Sequence, residues 1–435
     1  MFDEEKLKEL EERDKKLEEE TNRFIVILEP KHKKNLRAAV NTLNLQEYGT
    51  VKHVHRLIPA VTIEAQETKG PQLAQLASMR GGEVKEVIKD RRMRIMLDVS
   101  VPLIQAPKVW EHKDEGKGVV VAVVDTGVDK SHPDLKDRVV NSEDFTGEGY
   151  FDGHGHGTHV AGIIAGDGSA SSGKYKGVAP KATIIAAKVL DTYGSGWASD
   201  IIAGVEWAVE QGAKILNLSL GGRGPCDGTD IMSKACDAAV DAGAVVCVAA
   251  GNSGPDPSTV GTPGCARKVI TVGASDDDDK IAWFSSRGPT LDGRVKPDVV
   301  FPGFGIVAAR AKNTSMGTPE GEYYTQASGT SMATPHTAGV AALLIAEYEN
   351  RKKRYTNEDI KRLILDNAHD LGYDNNTDGH GRGDAFASWE DVIKTEERPQ
   401  EAGQWSQSTG LAALIGAIII IVVLIIIFVV FLNLV

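Results

Sequence analysis

The chain has 435 residues, with 49 Lys and Arg against 61 Asp and Glu, a net charge of −12. So acidic a balance, with no basic stripe along the chain, argues against a nucleic-acid partner. Apolar residues make up 41% and charged residues 25%, which excludes wholesale disorder and leaves room for about three domains.

Residues 1–22 (MFDEEKLKELEERDKKLEEETN) are mostly charged and lack the apolar stretch and small-residue cleavage site of a signal peptide. Residues 23–97 read as a small domain. Arg23–Leu28 is expected as a strand, Lys34–Leu45 as a helix and Val51–Glu64 as two strands broken near Leu57-Ile58-Pro59. Thr68–Met79 follows as a second helix and Val84–Met96 as a last strand, giving the β-α-β-β-α-β order of a split βαβ unit.

Residues 98–395 alternate short apolar runs with helical stretches. The runs are Val119–Val124, Thr183–Val189, Lys214–Leu218, Ala244–Ala249 and Val269–Val272, with helices over Asp200–Gln211, Asp230–Ala242 and Met332–Tyr348. Runs this apolar suit strands covered on both faces, hence a three-layer αβα architecture around a mainly parallel sheet. Residues 396–410 read as a polar tether. Leu411–Leu432 carries no charge over 22 residues, and at 1.5 Å per residue it reaches about 33 Å, enough for one membrane-spanning helix.

Ligands of parallel sheets gather at the carboxyl ends of the strands, so polar residues there are the candidates for chemistry. Asp125 follows VVVAVV, His156 opens HGTHVAGIIAG, and Ser331 sits in GTSMATPH ahead of a long helix. An imidazole can take a serine proton while a carboxylate orients the ring. Asn252, in VAAGNSGP, can donate a side-chain hydrogen bond to an oxyanion, and Ser331 at a helix start adds a backbone N–H.

The segments VAVVDTGVDKSHPDL, HGTHVAG, AAGNSGP and GTSMATPH, in this order, resemble the signatures of subtilisin-like serine proteases, the subtilases, over about residues 98–390. The resemblance implies a serine endopeptidase with Asp125, His156 and Ser331 as the triad and Asn252 as the oxyanion donor. It chooses His156 over His154 and His159, leaving those two and His336 as packing or capping residues. Ser219-Leu220-Gly221 resembles the strand that pairs with the substrate peptide. Ala250-Gly251 and Gly261 resemble walls of the pocket for the residue before the scissile bond. No acidic residue falls at these positions, so an apolar or broad preference is expected.

The small domain resembles a subtilase prodomain, a folding chaperone and intramolecular inhibitor, with the maturation cut expected at residues 92–98. Substrates would be proteins or peptides, with no cofactor needed for the chemistry. Asp134, in SHPDL, resembles a ligand of a structural calcium, although the Asp167–Lys176 loop departs from the family's pattern. Asp374, Asn376, Asp378 and Gly379 begin a calcium-loop pattern, but Ala385 stands at its twelfth position and a polar turn is expected instead. Four cysteines, Cys226, Cys236, Cys247 and Cys265, allow three full pairings, and Cys247 reads as a buried thiol. Asp276–Lys280 (DDDDK) reads as an exposed acidic loop.

Both orientations of the membrane anchor stay open, since only Lys394 and Arg398 flank it within twenty residues. Family habit leans to the extracytoplasmic side. A binding or scaffold protein of the same fold, without turnover, is the alternative to an active protease. Every triad position is filled, and fluorophosphonate labelling separates the two.

Overall fold

The computed structural model describes residues 23–29, 31–32, 35–55, 60–66, 69–78, 83–89, 97–222 and 224–394. The chain divides into two compact units between Ile95 and Met96. Of the expected cut region 92–98, residues 92–96 lie outside the described residues, as do the tether and the apolar segment Leu411–Leu432, while Leu97 and Asp98 open a helix. Among the described residues no helix is long and apolar enough to cross a membrane.

In the first unit the elements are β1 (Arg23–Leu28), α1 (Leu36–Thr42), β2 (Gly49–His55), β3 (Ala60–Ala65), α2 (Gly70–Ala74) and β4 (Val84–Lys89). They form an antiparallel sheet in the order β2-β3-β1-β4. Alternation selects the core: Phe24, Val26 and Leu28 of β1 and Val61, Ile63 and Ala65 of β3 are buried with Leu36, Ala39 and Val40 of α1. Asn35 caps α1, its side chain accepting from Ala38 N. The helix expected over Thr68–Met79 is shorter, α2 giving way to a 3₁₀ turn at Gln75–Ser78.

The second unit opens with α3 (Leu97–Leu103) and α4 (Ala106–Glu111). Its sheet has seven parallel strands in the order β11-β10-β9-β8-β5-β7-β6. These are β5 (Val120–Asp125), β6 (Val139–Asp144), β7 (Thr183–Lys188), β8 (Ile215–Leu218), β9 (Val245–Ala249), β10 (Ile270–Ser275) and β11 (Val299–Pro302). The five apolar runs are strands of this sheet. The edge strand β6 (VVNSED) escaped the pattern because it is half polar, as a strand covered on only part of its surface can be.

Four helices flank the sheet: α5 (His156–Ala165), α6 (Ala198–Glu210), α7 (Ile231–Asp241) and α8 (Thr330–Asn350). α6 and α7 lay Ile201, Val205, Ala208, Met232, Cys236 and Ala239 on Ala122, Val124, Ala187, Leu216 and Val246. α8 packs on β8 to β11 and against α5, and it is buried from Met332 to Glu347. A three-stranded antiparallel sheet, β12 (Ile306–Ala309), β13 (Thr318–Glu320) and β14 (Tyr324–Ala327), adjoins α5. Helices α9 (Asn357–Asp366), α10 (Asn375–Asp378) and α11 (Ala385–Lys394) complete the unit.

Candidate active site

Strand β5 ends on Asp125, which is fully buried. Its Oδ1 accepts from Thr126 N at 2.7 Å and from His156 Nδ1 at 2.7 Å. A carboxylate only accepts, so the neutral imidazole carries its proton on Nδ1 and leaves Nε2 as the acceptor. His156 reaches this position because it opens α5, and Gly157 lets the helix start approach the β5 turn. A Cβ at Gly157 would stand 2.1 Å from the Gly127 carbonyl oxygen.

Beneath this pair lies a buried hub. Gly157 N donates to Thr126 Oγ1 at 2.9 Å, and that hydroxyl donates to Asp152 Oδ1 at 2.9 Å. Asp152 also accepts from Gly155 N at 2.7 Å and from Thr158 Oγ1 at 2.6 Å. Burial alone would push the His156 imidazole down. The charge of Asp125, its hydrogen bond and the charge of Asp152 together outweigh burial and raise His156 above its ordinary 6.5.

Ser331 stands in the first turn of α8, where backbone N–H groups lack partners within the helix. Its hydroxyl donates to the Ser219 carbonyl at 3.0 Å, and the Ser219 hydroxyl returns a bond to the Ser331 carbonyl at 2.9 Å. β5 and β8 pair in parallel through Val123 and Asn217, so two residues further on Asp125 and Ser219 lie on neighbouring strand ends. Asn252, just beyond β9, is exposed, and its Oδ1 accepts from Thr330 N at 2.9 Å and Thr330 Oγ1 at 3.0 Å. A carboxylate-oriented imidazole, a hydroxyl, an amide donor and the helix-start N–H of Ser331 thus gather near the carboxyl ends of β5, β8 and β9. That assembly is suited to acyl transfer.

A sequence model of Peptidase S8, described as the subtilase family, matches residues 116–383. The chain belongs to the subtilase family. It is 41% identical over 326 residues to "Serine protease AprX" of Bacillus subtilis (strain 168), covering 69% of this chain and 72% of that one. "Subtilisin DY" of Bacillus licheniformis is 42% identical over 252 residues, 57% of this chain and 84% of its own. "Subtilisin E" of Bacillus subtilis (strain 168) is 40% identical over 275 residues, 62% and 65% respectively. The protein is therefore a subtilisin-like serine endopeptidase.

In this subtilase the segments expected to contact substrate lie together. Gly222 N, next to Ser219-Leu220-Gly221, donates to Thr262 O at 2.7 Å, and Gly261 N donates to Ala250 O at 3.4 Å. A Cβ at Gly261 would stand 2.2 Å from the Gly222 carbonyl, so only glycine allows the two walls this approach. Gly251 N reaches Thr330 Oγ1 at 3.2 Å. Behind the walls Val260 and Cys265 are buried against Ala250, with Cys226 packed on them. Cys226 and Cys265 form a disulfide, while Cys236 and Cys247 are buried thiols. Burial pushes the Cys236 thiol up to about 12.

His159 and His336 are buried and uncharged, burial holding them down at about 3 and about 4. His159 Nε2 donates to Ile306 O and Thr325 O, and His336 Nδ1 donates to Met332 O at 2.8 Å. His154 lies beside the catalytic candidate, its ring centroid 6.2 Å from that of His156.

The donors around Asp134 do not fit the calcium expected there. Asp134 Oδ1 accepts from Ala170 N at 2.8 Å and Ser169 Oγ at 3.2 Å, and Oδ2 accepts from Tyr324 Oη at 2.8 Å. Each donor presents a proton where calcium would need another oxygen lone pair. The polar turn expected at Asp374 is a one-turn helix, α10, capped by the Asp374 side chain. Among the described residues, Cys226, Asp230 and Cys265 are the one grouping of metal-ligand type, and the disulfide leaves no thiolate there. The DDDDK loop is only partly exposed: Asp279 pairs with Arg382 at 2.6 Å, and Asp276 Oδ1 accepts from Lys280 N at 2.9 Å.

Thr126, Asp152 and Thr330 hold the candidate site together and Lys188 lies in register with Asp125, and the motifs singled out none of the four. Thr330 sits inside GTS, and Lys188 showed as the one charge in TIIAAKV.

Proposed function

We propose that this subtilase cleaves peptide bonds by a triad in which Ser331 is the nucleophile, His156 the general base and Asp125 the residue that orients it. The Asp125–His156 bond at 2.7 Å carries this reading, since it directs Nε2 to the one unprotonated acceptor role a serine needs. Rotation about the Ser331 Cα–Cβ bond takes its hydroxyl from the Ser219 carbonyl to His156 Nε2. The proton moves to Nε2 as Oγ attacks the carbonyl carbon, and the imidazolium then protonates the leaving amine. Negative charge on the tetrahedral oxygen is met by Asn252 Nδ2 and the Ser331 N–H. Water repeats the cycle on the acyl-enzyme.

Ser219-Leu220-Gly221 would pair with the substrate main chain, and Ala250, Gly251 and Gly261 would wall the pocket for the residue before the cut. The apolar residues behind those walls favour a broad or apolar preference. Strong selection for Arg or Lys across a panel of tetrapeptide amides would count against it.

Residues 23–97 would act as a prodomain, with self-cleavage at residues 92–98, and Leu411–Leu432 would anchor the mature enzyme in a membrane. The β-α-β-β-α-β unit with its four-stranded antiparallel sheet supports the prodomain. The Cys226–Cys265 disulfide supports an oxidising, extracytoplasmic side, which cysteine labelling on intact cells would test. Intact mass of the wild type and of Ser331→Ala after incubation tests nucleophile and maturation together. Cleavage at 92–98 in the wild type alone is expected. Cleavage of both forms would assign the cut to another protease, and cleavage of neither would remove self-maturation.

A further inference from the structure

Lys188 ends β7 and pairs in register with Asp125. Its side chain is 1% exposed, although lysine is rarely buried without partners. The ammonium has three donors and finds three acceptors: Thr126 O at 3.1 Å, Leu190 O at 3.0 Å and Glu148 Oε2 at 3.3 Å. Glu148 in turn accepts from Thr192 N at 3.0 Å and Thr192 Oγ1 at 3.3 Å. With every donor engaged inside the protein, Lys188 has none left for a substrate.

Its position nevertheless bears on the chemistry. Thr126 N donates to the same Asp125 oxygen that holds His156, and Thr126 Oγ1 joins Gly157 to Asp152. The Asp125 carbonyl accepts from Val189 N at 2.8 Å and Leu190 N at 3.1 Å, flanking Lys188 on the chain. An apolar residue of the same length would fill the space, but it would leave the Thr126 and Leu190 carbonyls without this donor.

We propose that Lys188 is a positioning residue for the catalytic carboxylate. Its ammonium fixes the Thr126 carbonyl, which keeps the Thr126 N–H aimed at Asp125. Through Glu148 it also ties this turn to the loop that carries Thr192. The proposal rests on the triad reading above. Nothing in the family match assigns the residue.

The test compares Lys188→Met, Lys188→Arg and Glu148→Gln in the full chain. Active sites are counted by fluorophosphonate labelling at Ser331, and kcat, KM and melting temperature are measured. A purely structural lysine would lower stability and the labelled fraction while leaving kcat per labelled site unchanged. Positioning predicts that Lys188→Met lowers kcat per labelled site about tenfold or more with KM little moved. Lys188→Arg, which restores a buried cation, should regain much of that loss, and Glu148→Gln should lose about threefold. A folded Lys188→Met with wild-type kcat per site overturns the proposal. If Lys188→Met does not fold, unchanged kcat in Glu148→Gln overturns it instead. Wild-type protein that takes no label at Ser331 would overturn the triad reading and this proposal with it.

Discussion

Asn252 Oδ1 accepts both the backbone N–H and the hydroxyl of Thr330, at 2.9 and 3.0 Å. Two donors on one side of the amide allow only one orientation, with the oxygen on Thr330 and Nδ2 presented as the donor. Thr330 also precedes Ser331, the proposed nucleophile, so one residue sets both the amide and the start of α8. The same hydroxyl accepts from Gly251 N at 3.2 Å, joining the pocket wall to the oxyanion side.

That relationship separates two substitutions. Asn252→Ala removes the donor itself and should lower kcat by about 10²–10³ with KM little changed. Thr330→Val keeps the shape and the backbone bond but loses the hydroxyl. It should lower kcat by only about threefold to tenfold, the scale of one neutral hydrogen bond. Steady-state kinetics on labelled sites would check both. Equal losses in the two variants would mean that Asn252 is not the donor.

The imidazole supplies a pH prediction. As the proposed general base His156 must be neutral, and its proton is held more tightly than usual, so kcat/KM should rise with pH through a midpoint above 6.5. The sign for stability runs the other way. A raised folded-state value stabilises the fold fully below 6.5, and that contribution is lost as pH rises through the folded midpoint. Asp125→Asn removes the main opposing charge and should bring the midpoint down, with kcat lowered about 10⁴. NMR titration of His156 in a Ser331→Ala background measures it. A midpoint unmoved by Asp125→Asn would contradict the coupling.

Five of the seven strands were legible because they are covered on both faces and read as unbroken apolar runs, while β6 and the short β11 were not read. The strings that carry Asp125, His156 and Ser331 stood out because each lies where a strand, turn and helix meet. Thr126 and Asp152 were not, since their value comes from contacts across 26 to 31 residues that no local pattern carries. The surroundings of Asp134 were hidden for a related reason. Its string fits a calcium ligand, but Tyr324, 190 residues away, supplies the proton that occupies it. The disulfide chose one of three pairings only through the loops that bring Cys226 beside Cys265.

Tyr324→Phe tests the hydrogen-bonded role of Asp134. The variant strips the phenol from Oδ2 of a carboxylate that is 1% exposed and leaves that oxygen without its donor. A loss of about 1–3 kcal/mol is expected. Calcium or a chelator should leave the wild-type melting temperature unchanged through this site. A calcium-dependent rise that Asp134→Asn abolishes would restore the metal ligand.

The disulfide closes a separation of 39 residues between the two loops that follow the pocket walls. The chain-entropy treatment gives about 4 kcal/mol for a loop of that length. A double Cys226→Ser, Cys265→Ser variant, made with Ser331→Ala to stop self-digestion, should therefore melt about 8 °C lower. In the active background the walls remain joined by the Gly222–Thr262 bond, while the loops beyond them lose their link. KM for peptide substrates should rise severalfold, and kcat per labelled site should hold, because neither sulfur touches Ser331 or His156. Arg294 on Cys265 O at 2.7 Å and Leu291 N on Cys226 O at 3.0 Å offer a competing support. Unchanged KM and melting temperature would show that those hydrogen bonds suffice to hold the loops. A fall in kcat with KM unchanged would instead place the disulfide's influence on the triad.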